Sequence, residues 1–349
     1  MGVDAAQLLL ATYLFHKKEL KQKNGRPLQP KTLVNHLNAA HAYLQQVLRM
    51  EIPLRQPTGK STKLLPIFGD TIALSQKWSQ PKPKREAFTW EIFLALQEMV
   101  REACQDDLTC FLDLIPTVFD WLCLGVFTGS RAGEYAQTVA NRGEYSKVPT
   151  DNAAGAWQGY AVAFVLEDFV YLDSKRRILP TNWDTLNCKH KVFELQVRFR
   201  YDKSKDNFTI RKFRRTDSFL CPVEASLSIV RRALLLQVPP KAPLGVHRWN
   251  EEGHFTYLRS DDLIKVVREA CTRAYPDPNH FLRVHEDRLV AHSNRVTAAV
   301  ALWEQKWSIE RIADRLRWTK ESVKHYLREC SHSIGEMTLA AINGAQVLG

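Results

Sequence analysis

Along most of this chain the apolar residues recur every three or four positions, and in one central stretch they recur every two. Leu8, Leu9, Tyr13 and Leu14 set a helical spacing within residues 3–23, whose basic Lys17-Lys18 segment suits the C-terminal half of a helix. Pro27 and Pro30 interrupt it. Thr32 can cap a second helix with Leu33, Leu37, Ala40, Tyr43, Leu44 and Val47 on one face, ended by Pro53 and Pro57. Residues 58–86 are rich in Lys, Ser, Pro and Thr. They read as the end of a small helical domain and its linker, with room for one more helix over 67–78. Thr89 signals a new helix, with Glu91 in its first turn and Ile92, Phe93, Leu96, Met99 and Val100 following. Residues 107–127 are apolar enough for a buried helix, bent or broken near Pro116. Thr128-Gly129-Ser130 is a turn in which Gly129 supplies a positive φ, and Arg131 opens a helix through Glu134.

The period then changes. Residues 161–172 are rich in strand formers. Over 192–201, Phe193, Leu195, Val197 and Phe199 alternate with Glu194, Gln196, Arg198 and Arg200, which predicts a strand with a charged outer face. Residues 202–207 form a polar hairpin tip, and 208–213 return. The expected sheet is small, three strands inserted into a helical protein. Helices resume over 222–236, 260–274 and from His292 onward. The predicted fold class is mainly α with a small antiparallel β-sheet (α+β). Its organisation is a helical domain over 1–80, a linker over 81–88, and a larger domain over 89–349 with an apolar tail helix over 335–349.

Charge sharpens this picture. The formal net charge is +11, which favours a polyanionic partner. Between Lys175 and Arg215 thirteen Lys or Arg stand against four Asp or Glu, so most of the surplus sits on the predicted hairpin and points to a phosphate-facing surface. The start of the chain lacks the basic and small-residue features of a secretory signal, and no apolar run is long enough to span a membrane. Seven cysteines without a C-x-x-C pair read as reduced intracellular thiols, not as a disulfide framework, with Cys104, Cys110 and Cys123 in core packing.

Cutting a phosphodiester without a metal needs a nucleophile, fixed cations for the non-bridging oxygens and a proton donor for the leaving oxygen. Arginine suits the second task because its planar fork holds two oxygens and keeps its charge. Tyrosine suits the first where the product is a covalent phosphotyrosine. The chain has each part: Arg131 after a glycine turn, His292 and Arg295 three apart on one helix face, the indole N–H of Trp318, and Tyr326 in the last amphipathic helix. Lys203 or Lys205 projects from the hairpin tip. Singly, each has an ordinary explanation as a surface ion pair, a turn lysine or core packing. Residues 309–327 alone also read as a helix-turn-helix, which keeps open a non-catalytic DNA-binding protein with Tyr326 in its core.

T-G-x-R-x-x-E at 128–134, H-x-x-R at 292–295, then Trp318 and Tyr326, with a basic hairpin between the first two, resemble the tyrosine recombinase (phage integrase) superfamily, Cre-like branch. The Cys221-Pro222 step and the strand end at Phe199-Arg200-Tyr201 resemble, more faintly, mobile-element recombinases of the Crypton type. The resemblance covers about 86–335. It implies an N-terminal core-binding domain and a catalytic domain forming a clamp on double-stranded DNA. It also implies that Arg131 and Arg295 clamp the scissile phosphate, that His292 hydrogen-bonds it and assists proton transfer, that Trp318 fills the position the family gives to His or Trp, and that Glu134 is a supporting residue. Lys203, with Lys205 competing, is the general acid, and Tyr326 is the nucleophile. No metal or nucleotide cofactor is implied. A homotetramer assembled through the C-terminal helix is, together with a location inside the cell with the DNA. Lys82, Lys84, Arg85, Arg200, Lys205 and Arg211 are the expected DNA contacts. A type IB topoisomerase shares the chemistry and remains the enzymatic alternative. Two departures stand out: Trp318 and Tyr326 are eight residues apart where nine is usual, and Arg317 stands where glycine is common.

Overall fold

In the computed structural model the chain divides into two compact units, Met1–Pro83 and Lys84–Gly349. The structure describes residues 2–19, 28, 30–49, 51–58, 61–78, 85–105, 109–138, 163–188, 191–200, 208–250, 252 and 254–329. The hairpin tip with Lys203 and Lys205, the linker lysines Lys82 and Lys84, and the tail 335–349 lie outside the described residues.

The first unit contains α1 (Val3–Glu19), α2 (Pro30–Leu48), a hairpin of β1 (Arg55–Thr58) and β2 (Ser61–Leu64), and α3 (Pro66–Trp78). Pro30 begins α2 instead of only interrupting the chain. At the first helical position its missing N–H costs no hydrogen bond, so Thr32 lies within the helix and not at its cap. Leu10 and Leu14 from α1, Leu33 and Leu37 from α2, and Phe68 and Ile72 from α3 form the core. The hairpin falls inside the region expected to be a helical domain, because its two four-residue strands are too short and polar to show alternation.

The second unit is mostly helical. It contains α4 (Trp90–Ala103), α5 (Leu114–Thr128), α6 (Ala132–Tyr135), β3 (Phe169–Leu172), β4 (Ile178–Leu179), α7 (Trp183–Asn187), β5 (Glu194–Phe199) and β6 (Thr209–Arg214). It continues with α8 (Pro222–Leu235), β7 (Val246–Arg248), β8 (Phe255–Tyr257), α9 (Ser260–Ala274), α10 (Phe281–Val284), α11 (Ser293–Glu304), α12 (Ile309–Leu316) and α13 (Lys320–Glu329). The fold is mainly α with small antiparallel sheets. The main sheet has four strands in the order β4-β3-β5-β6, one more than expected, and β7 and β8 form a separate hairpin that the sequence reading missed. Both extra pieces come from two- and three-residue strands, too short for period-two patterning to register.

The central helix is α5, with Val118, Trp121, Leu122, Cys123 and Leu124 buried, packed against α4, α8 and α11. The chain breaks at Asp113, between a 3-10 turn at Cys110–Leu112 and α5, and not at Pro116. Pro116 lies in the first turn of α5, where its amide would lack a helical partner in any event, so the helix accommodates it without losing a hydrogen bond. The reduced-thiol reading is corrected at one pair: Cys104 and Cys110 form a disulfide with a Cα–Cα distance of 5.2 Å. A turn after α4 brings the two together, and spacing alone does not reveal it. Cys110 and Cys123 are buried as expected, whereas Cys104 is half-buried. Among the described residues, no helix is long and apolar enough to cross a membrane.

Two glycines set how the last helices meet α5. A β-carbon on Gly125 would stand 2.0 Å from Asn294 Nδ2, so only a bare backbone lets α11 lie this close to α5. Asn294 uses the closeness, donating from Nδ2 to Leu122 O at 3.2 Å. Gly129 ends α5 in the left-handed region at φ 63°, and a β-carbon there would come within 2.8 Å of Leu316 in α12.

Candidate active site

The turn after α5 fixes the first part of the site. Arg131 is the N-cap of α6, and its backbone N–H donates to Glu134 Oε2 at 2.8 Å. Its Nη1 donates to Glu134 Oε1 at 3.1 Å. Glu134 is buried, and its carboxylate holds both the backbone and the fork of Arg131, while about a quarter of the Arg131 side chain stays open to solvent.

The second part comes from α11. Its N-cap is His292, and Arg295 lies in its first turn, on the side expected from their three-residue spacing. The helix is held at its base by Thr297 Oγ1, which accepts the Phe88 N–H at 2.7 Å. Arg295 is 7% exposed. Burial, and then the positive charge of Arg131, pull its guanidinium down to about 10, with Arg317 adding to the effect and Glu134 and Tyr326 opposing it. It remains cationic at neutral pH.

The third part is the α12–turn–α13 hairpin of helices. Ile312, Ala313, Leu316 and Val323 pack with Ala298 and Ala299 of α11, which ties the pair to the helix carrying His292 and Arg295. Trp318 lies in the turn, and its ring is 4.2 Å from the Arg295 guanidinium. Tyr326 on α13 packs beside Ala87, Val296 and Val300. Its ring meets Trp318 edge-on at 5.1 Å, and its hydroxyl is 2.6 Å from His292 Nε2. The eight-residue gap from Trp318 to Tyr326 therefore keeps the two side chains in contact.

Arg131, Glu134, His292, Arg295, Trp318 and Tyr326 thus belong to one constellation, although Arg131 and His292 are separated by most of the second unit. Within it, the buried Arg295 Nε and Trp318 Nε1 find no hydrogen-bond acceptor among the described residues. Buried donors of this kind are costly unless something accepts from them. The Arg295 fork and an indole N–H beside a tyrosine ring, with the Arg131 cation near enough to act on Arg295, are chemically suited to a tetrahedral oxyanion. Among the described residues, no group of three or more His, Cys, Asp or Glu side chains could hold a metal ion.

The expected DNA contacts fare differently. Arg200 is buried, so its assignment as a surface contact is corrected. Its Nη2 donates to Ala163 O at 2.7 Å and pairs with the buried Asp168 at 3.0 Å. The segment around the 3-10 turn Leu166–Asp168 covers the face of β5 that alternation assigned to solvent, and Glu194 on that strand is likewise buried. Arg198 also pairs with Asp168 and with Glu167, and Arg177 pairs with Asp173, so part of the basic surplus is neutralised locally. Arg211 donates to Asp314 O at 2.6 Å, joining β6 to α12. Arg85 is half-buried at the start of the second unit.

One side chain of this cluster escaped the sequence reading except as an irregularity. Arg317 adopts φ 59° and ψ 46°, is buried, and donates from Nη2 to Glu134 Oε2 at 3.3 Å. The available signal was an arginine at a helix end that requires positive φ.

No family model matches the chain, and no curated protein matches it. Among solved structures, the Tn1549 transposon integrase in complex with transposon right-end DNA is similar at a TM-score of 0.35 and 9% identity, over 99% of this chain and 86% of that one.

Proposed function

We propose that this chain is a site-specific DNA recombinase that cuts and rejoins strands through a 3′-phosphotyrosyl link. The observation that carries the reading is the 2.6 Å contact between His292 Nε2 and the Tyr326 hydroxyl, set beside two arginine forks and an unsatisfied indole N–H. A helix-turn-helix protein with a silent core tyrosine has no need of that arrangement, and its Tyr326 hydroxyl would face apolar side chains.

In this reading Arg131 and Arg295 hold the non-bridging oxygens, where charge grows in the five-coordinate transition state. Trp318 donates its N–H to the same group. The Tyr326 oxygen attacks phosphorus and its proton passes to His292 Nε2, the atom already in hydrogen-bond contact. The bond from phosphorus to the 5′-oxygen breaks, and Lys203 or Lys205 supplies the proton that makes it a hydroxyl. Attack by a 5′-hydroxyl from a second duplex reverses the steps and exchanges strands. Four such cleavages require four copies on two DNA sites.

The test is incubation with a nicked suicide duplex followed by a denaturing gel. Wild type should give a covalent protein–DNA adduct and Tyr326→Phe none. An adduct that survives this substitution removes Tyr326 as the nucleophile. Plasmid relaxation without recombinant products would place the chain with the type IB topoisomerases.

A further inference from the structure

Arg317 has no task in the scheme above, yet its position is the least accommodating in the site. It ends α12 in the left-handed region, at φ 59° and ψ 46°, where a β-carbon is unfavourable and glycine or asparagine is the easier choice. Its side chain is charged and 96% removed from solvent. Both features cost stability, so its contacts must offset them.

Those contacts join three parts of the site. Nη2 donates to Glu134 Oε2 at 3.3 Å, the same oxygen that accepts the Arg131 backbone N–H. The guanidinium lies 3.5 Å from the ring centre of Phe199, the last residue of β5. The Arg317 backbone leads directly into Trp318, whose backbone N–H donates to Ala313 O at 2.8 Å. Neighbouring residues bind the same two bodies: Arg211 donates to Asp314 O, and Arg315 donates to Lys212 O at 3.4 Å while lying over Phe213 at 4.5 Å.

We propose that Arg317 is a positioning residue for strand cleavage. It locks Glu134, and with it the Arg131 fork, to the Trp318 turn and to the base of the β5–β6 hairpin. The phosphate clamp, the tyrosine helix and the β5–β6 pair then share one frame. This inference rests on the strand-cleavage reading. Without Arg317, the Glu134 carboxylate keeps, among the described residues, only its bonds to Arg131, and the fork is no longer referenced to the tyrosine helix. The loss falls on the rate of the chemical step and not on DNA affinity.

The test measures single-turnover adduct formation on the nicked duplex at saturating DNA, with affinity and melting measured separately. Arg317→Gly, which suits the left-handed backbone, should slow adduct formation by about 30- to 100-fold, the scale of a small misplacement of reacting groups, with affinity unchanged within about threefold. Arg317→Lys should recover part of that rate, because it restores the charge on Glu134 without the planar fork. Adding Glu134→Gln to Arg317→Gly should cost little beyond the larger single loss, because the two act as one unit. A wild-type rate in Arg317→Gly, a loss confined to affinity, or fully additive losses would each overturn the proposal. If Arg317→Gly does not fold, Arg317→Asn is read by the same criteria. If neither folds, Arg317 serves stability alone and the proposal fails. Absence of any Tyr326-dependent adduct from wild type sinks the cleavage reading itself, whereas a wild-type adduct formed equally fast by Arg317→Gly sinks only this inference.

Discussion

Replacing Arg295 by methionine should make the protein more stable and abolish its response to oxyanions. Arg295 is 7% exposed, and burial together with Arg131 brings its guanidinium down to about 10. Measured against its ordinary range, that depression corresponds to about 3 kcal/mol of unfavourable burial in the charged form. The sign is that of a base harder to protonate when folded. The cost is fully present at neutral pH and is relieved only as pH rises through about 10. Methionine has a similar reach, no charge, and a sulfur that packs well on an aromatic edge. What is lost is the attraction to Glu134 and Tyr326, already included in that figure, and the contact with Trp318 at 4.2 Å, worth about 0.5–2 kcal/mol. The net gain is about 1–2 kcal/mol, or a rise of about 2–6 °C in the melting of the second unit. Sulfate or vanadate should stabilise wild type by about 2.7 kcal/mol at a hundredfold excess over Kd. The variant should show none of this. Calorimetry of the full chain at neutral pH, with and without the anion, reads both effects. If Arg295→Met melts at or below wild type, or if the anion raises both proteins equally, the account of a cationic site held open for an oxyanion is wrong.

Three further outcomes follow from the same geometry. Gly125→Ala forces α11 away from α5, because its β-carbon would stand 2.0 Å from Asn294 Nδ2; thermal melting should show a loss of about 1–3 kcal/mol, and adduct formation should fall with it. Arg200→Ala strips the buried Asp168 of its closest guanidinium, so stability should drop by about 3–5 kcal/mol while the salt dependence of DNA binding keeps its slope; a shallower slope would return Arg200 to the DNA surface. His247 is held below its usual range by burial, with Arg232 adding to this and the Arg248 carbonyl, Asp262 and Asp113 opposing it, so the unfolded chain takes up the proton more readily. Stability should therefore fall as pH drops through about 6.5, and His247→Gln should flatten that part of the melting profile.

Much of the fold was legible because amphipathic helices announce themselves locally. The 3.6-residue period placed α4, α8, α9 and the α12–α13 pair nearly to their observed limits, since burial of one helix face is a property of neighbouring residues. The candidate site was legible as residue types in a chain order: Arg131 with Glu134, His292 with Arg295, then Trp318 and Tyr326. The misplaced pieces depend on long-range cover. Alternation assigned Arg200 to solvent because a strand by itself does not say what packs on its second face. Here a distant turn brings Asp168 to it.

The sequence by itself therefore determined which residue types stand in which order and which helices bear them. Only the tertiary structure decided how they meet. Gly125 and Gly129 look like ordinary helix and turn glycines until Asn294 and Leu316 are found filling the space a β-carbon would take. Arg317 looks like an irregular helix end until its guanidinium is found on Glu134, 183 residues away along the chain. Close packing between distant elements fixes these contacts, and neither hydrophobic period nor residue spacing encodes which distant residue will be the neighbour.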